Sequence, residues 1–115
     1  MTEQPDQPGD VTRIALEGRL DSARVAGIEE QFAAQVAAGG KHALVDLSQV
    51  VFLASMGIRM LLGSARRLTA GGAQMVLYGA TPEVQEVIET TGIGAVLPLA
   101  QSEEEALAIM SSWRM

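Results

Sequence analysis

Cysteine is absent from this chain, and aromatic residues are scarce. Without thiols the chain can form no disulfide, no thiolate metal site and no cysteine nucleophile. A core that folds without disulfides fits a reducing compartment, and we expect the cytoplasm. The aromatic residues are too few for the stacked rings of a single-stranded nucleic-acid site or for an aromatic cage. They are Phe32, Phe52, Tyr78 and Trp113.

Basic residues and long apolar runs are also in short supply. Fourteen acidic residues outweigh eight basic ones for a net charge of −6, and the basic residues are scattered, so we predict no nucleic-acid partner. The apolar run at residues 50–54 is far shorter than the ~20 residues of a membrane span, so we predict no membrane insertion. His42 is the single histidine and lacks the companion ligands of a zinc or iron site, so we predict no metal and no cofactor.

The length and apolar content indicate one domain. The chain has 115 residues, of which 48% are apolar, enough for the core of one domain and too little for two. Residues 1–9 are polar and acidic, contain two prolines and lack the apolar stretch of a secretory signal. We therefore expect a flexible N-terminal tail at residues 1–9 and a folded domain at residues 10–112.

From Val11 onwards, short apolar runs alternate with longer amphipathic stretches, which predicts the order β-α-β-α-β-α-β-α. Strands are predicted at residues 11–17, 43–47, 74–78 and 95–97, with residues 48–54 as a connecting stretch. Right-handed crossovers then give an α/β fold, a four-stranded, mainly parallel or mixed sheet packed against about four helices. The second strand is apolar on both faces and is expected in the middle of the sheet.

Capping residues mark the predicted helix ends. Asp21 can cap the first helix, Thr81 followed by Pro82 can start the third, and Ser102 with Glu105 can form a capping box for the fourth. Glycines are expected to end the first three helices, at residues 39–40, 71–72 and 92. The fourth helix is expected to dock through Leu107, Met110 and Trp113.

Ser55 lies where an apolar segment is expected to turn into the second helix. By position it is either the N-cap of that helix or a hydroxyl presented to another protein, and the two roles are compatible. A small serine hydrolase or a nucleotide-binding enzyme is less favoured. Leu53 stands where a nucleophile elbow has glycine, no base accompanies the serine, and the glycine spacing of a phosphate loop is missing.

Residues 45–48 read VDLS, and residues 51–62 read VFLASMGIRMLL. This succession of a strand, Asp-Leu-Ser, an apolar triplet, Ser-x-Gly and an aliphatic helix resembles the core signature of STAS domains, the family of bacterial anti-sigma factor antagonists. Residues 16–21 (LEGRLD) are similar to the family's early Gly-x-Leu-Asp element, and residues 92–93 to its late segment. The resemblance covers roughly residues 10–110.

The resemblance implies a function for Ser55, because the family is phosphorylated on the serine that follows the apolar segment. The implied partner is a serine-kinase anti-sigma factor of the histidine-kinase-like ATPase fold, bound when Ser55 is unmodified and released when it is phosphorylated. The implied role is that of a cytoplasmic protein-binding switch and not of an enzyme.

The chain departs from the family pattern in two places. Ala54 and Met56 stand where many members have aspartate and a second hydroxyl residue. These departures favour the alternative of a STAS scaffold subunit of another complex, such as a lipid-transport ATPase or a signalling assembly, without phosphorylation. Many members also have an extra first strand, which residues 1–9 are not expected to supply.

The second helix is expected to place one face in the core and another near the serine. Ile58, Leu61, Leu62, Ala65 and Leu68 form the expected core stripe. The residues predicted to contact a partner are Asp21, Ala54, Met56, Gly57, Arg59, Met60 and Gly63, with Arg67 on the same face. The competing interpretation is a broad buried stripe flanked by solvated arginines.

Overall fold

The computed structural model describes residues 11–38 and 41–112. Strands and helices alternate in the predicted order, with one 3₁₀ turn, Ile93–Ala95, before the last strand. The elements are β1 (Val11–Leu20), α1 (Ser22–Ala37), β2 (His42–Leu53), α2 (Ser55–Ala70), β3 (Met75–Tyr78), α3 (Pro82–Thr91), β4 (Leu99–Ala100) and α4 (Glu103–Ser112). The predictions for residues 1–9, for the glycines at 39–40 and for Trp113 lie outside the described residues.

The four strands form one parallel sheet in the order β1-β2-β3-β4, so β2 is an interior strand as predicted. Val11 lies opposite His42 at the start of the β1–β2 ladder, and Leu20 lies opposite Leu53 at its end. Because parallel strands end at the same edge of a sheet, α1 and α2 begin side by side there.

Alternate residues of the strands face two separate buried clusters. Val45, Leu47 and Leu77 belong to the larger cluster, which also holds side chains of α1, α2 and α3. Leu44 and Val76 belong to a smaller one with side chains of α4. Three helices therefore cover one face of the sheet, and α4 covers the other.

β2 is longer than predicted, because residues 48–53 continue the strand instead of forming a connection. Two register shifts in the β1–β2 ladder lie between Ala15 and Glu17 and between Gly18 and Arg19. Gly18 has a φ of +80°, a conformation that glycine adopts readily. These shifts break the alternation of buried and exposed residues along β2, and that alternation is the signal by which a strand is recognised in a sequence.

The last strand was predicted in the wrong place. Residues 95–97 do not form a strand: Ala95 is the last residue of the 3₁₀ turn, and the Val96 that follows it is 62% exposed. The strand follows Pro98, whose carbonyl oxygen accepts a hydrogen bond from the Leu77 N–H at 3.0 Å. Gly92 ends α3 in the left-handed conformation, as predicted, and leads the chain straight into the turn.

The predicted caps of α3 and α4 are confirmed. The Thr81 hydroxyl accepts a hydrogen bond from the Val84 N–H at 3.3 Å, and the Ser102 hydroxyl accepts one from the Glu105 N–H at 3.1 Å. The Glu105 carboxylate in turn accepts from the Gln101 N–H at 2.6 Å, one residue earlier than in a standard capping box.

Candidate functional site

Ser55 is the first residue of α2 and lies at the sheet edge where β1 and β2 end. The preceding residue, Ala54, donates its N–H to the carbonyl oxygen of Leu20 at 3.1 Å and so ties the helix start to the end of β1. The Ser55 side chain is exposed, and its hydroxyl forms no hydrogen bond with any described residue.

Ser55 is not the N-cap of α2, so that part of the prediction is wrong. Ala54 occupies the N-cap position, with φ −96° and ψ 173°, because β2 runs to Leu53 and leaves one residue between strand and helix. Alanine has no side-chain oxygen, and no side chain caps the first turn of α2. The Ser55 hydroxyl therefore does not cap the N-terminus of α2, and it lies beside the positive end of the helix dipole.

Gly57 is buried beneath the start of α2. A Cβ atom there would lie 2.8 Å from Leu53 Cδ1 and 3.1 Å from both Cβ and the carbonyl oxygen of Leu20. The predicted partner contact at Gly57 is thus a position where the helix touches the two strands. The available sequence signal was a glycine within a predicted helix. Glycine destabilises a helix relative to alanine, so its presence indicates a position where a larger side chain does not fit.

The predicted division of α2 into faces is wrong for Met60, which is only 3% exposed. Ile58 and Leu62, predicted to be in the core, are half-buried. α2 packs against α1 as well as against the sheet, so its buried arc is wider and lies further round the helix than the predicted stripe. Arg59 and Gly63 are exposed, as predicted.

A groove of about 290 Å³ runs between α1 and α2. Charged side chains from both helices line it, with Met60 among its apolar residues, and they include Glu29, Glu30, Arg59 and Arg67. Arg59 forms no salt bridge and no hydrogen bond with any described residue. One arginine of this groove, four residues from Ser55, is therefore available for a further ion pair.

Asp21, predicted as a cap and as a partner contact, lies at the same sheet edge. Its carboxylate accepts a hydrogen bond from the Arg24 N–H at 3.0 Å, which confirms the cap, and lies 3.8 Å from Arg19 Nε. Arg19 also lies over the ring of Phe52, and both Phe52 and Val51 are exposed. Sequence reasoning missed Arg19, Val51 and Phe52, because the two strands that carry them were predicted to end earlier, at residues 17 and 47.

The sequence of this chain has relatives among known proteins. A family model described as the STAS domain matches residues 4–106. The chain belongs to the STAS domain family. This STAS protein is 34% identical over 93 residues to BtrV of Bordetella bronchiseptica, which carries an assignment as an anti-sigma factor antagonist. The match covers 81% of this chain and 80% of BtrV.

Solved structures share the fold of this STAS protein. An anti-sigma factor antagonist (STAS) domain protein from Planctomyces limnophilus is 29% identical, with 81% of each chain covered and a TM-score of 0.74. The anti-sigma factor antagonist SpoIIAA, a Bacillus cell fate determinant, is 24% identical. Its unphosphorylated form covers 89% of this chain and 90% of its own with a TM-score of 0.71, and its phosphorylated form covers 88% and 91% with a TM-score of 0.64.

The described part of the STAS domain contains neither a metal-binding cluster nor a membrane-spanning helix. In residues 11–38 and 41–112, no three His, Cys, Asp or Glu side chains lie close enough together to hold a metal ion. No helix in these ranges is long and apolar enough to cross a bilayer. His42 accepts a hydrogen bond on Nδ1 from the Gln74 N–H at 3.0 Å, which links the start of β2 to the residue before β3.

Tyr78 is the last residue of β3, and its phenol is partly buried. Burial raises the pKa of the Tyr78 phenol, and the nearby carboxylates of Asp46 and Glu103 raise it further, while Arg13 opposes them. The phenol therefore stays protonated to a higher pH than in an unfolded chain.

Proposed function

We propose that this STAS protein is an anti-sigma factor antagonist that binds a serine-kinase anti-sigma factor of the histidine-kinase-like ATPase fold. Phosphorylation of Ser55 by that kinase ends the complex. The observation that carries the proposal is the Ser55 hydroxyl itself, exposed at the start of α2 and unbound by any described residue. The switch operates in the cytoplasm, where sigma factors act.

The kinase supplies the chemistry, and this chain supplies the acceptor. The Ser55 oxygen forms a bond to the γ-phosphorus of ATP while the bond to the β-phosphate oxygen breaks, so ADP leaves and the hydroxyl proton passes to a base of the kinase. A hydroxyl without its own base remains protonated and unreactive at neutral pH, so the STAS protein alone has no catalytic role in the proposal.

A phosphate at Ser55 changes the charge of the contact surface by about −1.5 to −2. A penalty of about 2.8 kcal/mol in a complex lowers its affinity about a hundredfold, so the added charge can end binding without unfolding the domain. A carboxylate or phosphate at the first residue of a helix is itself favourable by about 0.3 to 1 kcal/mol.

Two relatives support the proposal. BtrV carries an anti-sigma factor antagonist assignment, and SpoIIAA, an anti-sigma factor antagonist, has been solved in unphosphorylated and phosphorylated forms. The residues around Ser55 that are exposed or half-exposed would contact the partner directly. The exposed ones are Arg59 and Gly63, and the half-exposed ones are Asp21, Ala54 and Met56. Gly57 and Met60 are buried and would act by fixing the position of α2.

The decisive experiment mixes the protein with candidate kinase-type anti-sigma factors and ATP. Wild type is compared with Ser55→Ala and Ser55→Asp for phosphate incorporation by mass spectrometry and for complex formation by calorimetry. We expect phosphate on wild type alone, a complex preserved by Ser55→Ala, and affinity lowered about a hundredfold or more by Ser55→Asp. Thermal unfolding should show Ser55→Asp to be at least as stable as wild type.

Ser22 provides a matched control, because it is the exposed first residue of α1 at the same sheet edge. Ser22→Ala should be phosphorylated like wild type, and Ser22→Asp should bind like wild type. Phosphate on Ser22 instead of Ser55 would contradict the proposal. Equal binding by all Ser55 variants without phosphate would support the scaffold role, and ester hydrolysis or nucleotide binding by the chain alone would support an enzyme.

A further inference from the structure

Arg59 follows Ser55 by one turn of α2, and both side chains are exposed. Residues four apart on a helix are neighbours, with Cβ atoms about 5–6 Å apart. Helical Cα–Cβ bonds tilt toward the N-terminus of the helix, so an arginine at the later position leans back toward the earlier one. The Arg59 guanidinium can therefore reach a group attached to the Ser55 oxygen.

Arg59 has no partner to give up among the described residues. The salt bridges in this part of the chain join Arg13 to Glu103 and Arg19 to Asp21, and neither involves Arg59. Glu29 and Glu30 line the same groove, yet neither lies within 4.0 Å of Arg59 as an ion pair. The five N–H donors of its guanidinium are thus available.

We propose that Arg59 is the counter-ion of phosphorylated Ser55 within this chain, an inference that rests on the proposed function. A guanidinium binds a phosphate through two parallel N–H···O bonds, which are shorter and stronger than bonds between neutral groups. The pair forms along one helix face and needs only rotation of the Arg59 side chain. The uncapped N–H groups in the first turn of α2 face the same phosphate.

The pair gives phosphorylation a second effect on the contact surface. Phosphate adds negative charge at Ser55, and it also draws Arg59 out of the groove that contains Glu29 and Glu30. Arg67 remains there as the other cation of the groove. A partner that meets this surface through acidic groups therefore loses one cation at the moment when an anion is added beside it.

The test installs phosphoserine at position 55 during translation by nonsense suppression, so that no kinase is needed. ³¹P NMR then follows protonation of the phosphate with pH in the full chain, for the Arg59 form and for Arg59→Gln and Arg59→Lys. We expect Arg59→Gln to raise the protonation constant of the phosphate about twofold, the size of an exposed ion pair one helix turn apart. Arg59→Lys should recover part of the difference, because it keeps the charge and loses the two-pronged geometry.

Arg66→Gln is the matched control, because Arg66 is an exposed arginine of the same helix without a salt bridge to any described residue. It lies eleven residues after Ser55, about 16 Å along the axis, beyond the screening length of physiological salt. It should leave the titration unchanged. Equal titrations with Arg59 and with Arg59→Gln would overturn the inference, as would equal effects of Arg59→Gln and Arg66→Gln. Since the phosphate is installed without a kinase, failure of a kinase to modify Ser55 would count against the proposed function and leave this result standing.

Discussion

The guanidinium of Arg19 lies over the ring of Phe52, 4.3 Å from the ring centroid. Phe52 is 40% exposed, so we expect a coupling of about 0.5–1 kcal/mol, as for cation–π pairs at exposed sites. A double-mutant cycle with Arg19→Gln and Phe52→Leu, followed by urea unfolding, measures it. The neighbouring Val51 is 63% exposed, and a cycle of Arg19→Gln with Val51→Ala should show no coupling. Equal couplings in the two cycles would argue against a specific pair.

Gly57 and Gly63 lie on the same helix and should respond to alanine in opposite ways. A Cβ at Gly57 would approach Leu53 Cδ1 to 2.8 Å, and we expect Gly57→Ala to lower the free energy of unfolding by about 1–3 kcal/mol. A Cβ at Gly63 meets nothing within 4 Å, and Gly63→Ala should raise that free energy by about 0.5–1 kcal/mol. Urea unfolding of both variants checks the pair, and destabilisation of similar size in both would refute the packing account.

Asp21 combines a cap of α1 with a place in the proposed contact surface. Asp21→Ala should cost about 1 kcal/mol of stability, because the Arg24 N–H loses its acceptor. Asp21→Asn retains an oxygen at the cap and should remain close to wild type in thermal unfolding. Calorimetry with the partner then isolates the charge. Weaker binding by Asp21→Asn supports a contact at Asp21, whereas wild-type affinity removes Asp21 from the surface.

Tyr78 is the single tyrosine of the chain and the indole of Trp113 does not ionise, so the rise in absorbance near 295 nm with pH reports on Tyr78. Burial and the carboxylates of Asp46 and Glu103 raise its pKa above the ordinary value of about 10. The folded state then holds the proton more tightly than the unfolded state, so this contribution to stability is complete below pH 10 and declines as pH rises through the folded pKa. The absorbance midpoint should be higher in buffer than in urea, and Tyr78→Phe should lose less stability than wild type between pH 9 and 11. Coincident midpoints would contradict this.

Regular periodicity predicted most of the fold, and a break in periodicity caused one of the errors. The buried run at residues 43–47 and the caps at Asp21, Thr81 and Ser102 are local signals, and each was confirmed. The second half of β2 was missed because its exposure pattern depends on register shifts in β1, a different part of the chain. The strand Leu99–Ala100 has two residues, too short to show any period.

The exposure of Ser55 where a strand turns into a helix was predicted, but the contacts around it were not. The exposed hydroxyl of Ser55 followed from a short motif, but whether it capped α2 depended on where β2 ends, which neighbouring strands decide. Met60 was assigned to the wrong face because the sequence does not show that α2 packs against α1 as well as the sheet. The fit of Gly57 against Leu20 is likewise a contact between residues distant in sequence.

The two buried clusters differ in size, and α4 belongs to the smaller one through Ala106 and Met110. Detaching α4 exposes less apolar surface than opening the layer of α1, α2 and α3, so it requires less free energy. Its backbone amides should exchange with deuterium sooner than those of α2. Because α4 lies across the sheet from α1 and α2, fraying of α4 leaves the packing around Ser55 intact. A dye or an affinity handle attached beyond α4 can therefore report on partner binding without disturbing the Ser55 surface.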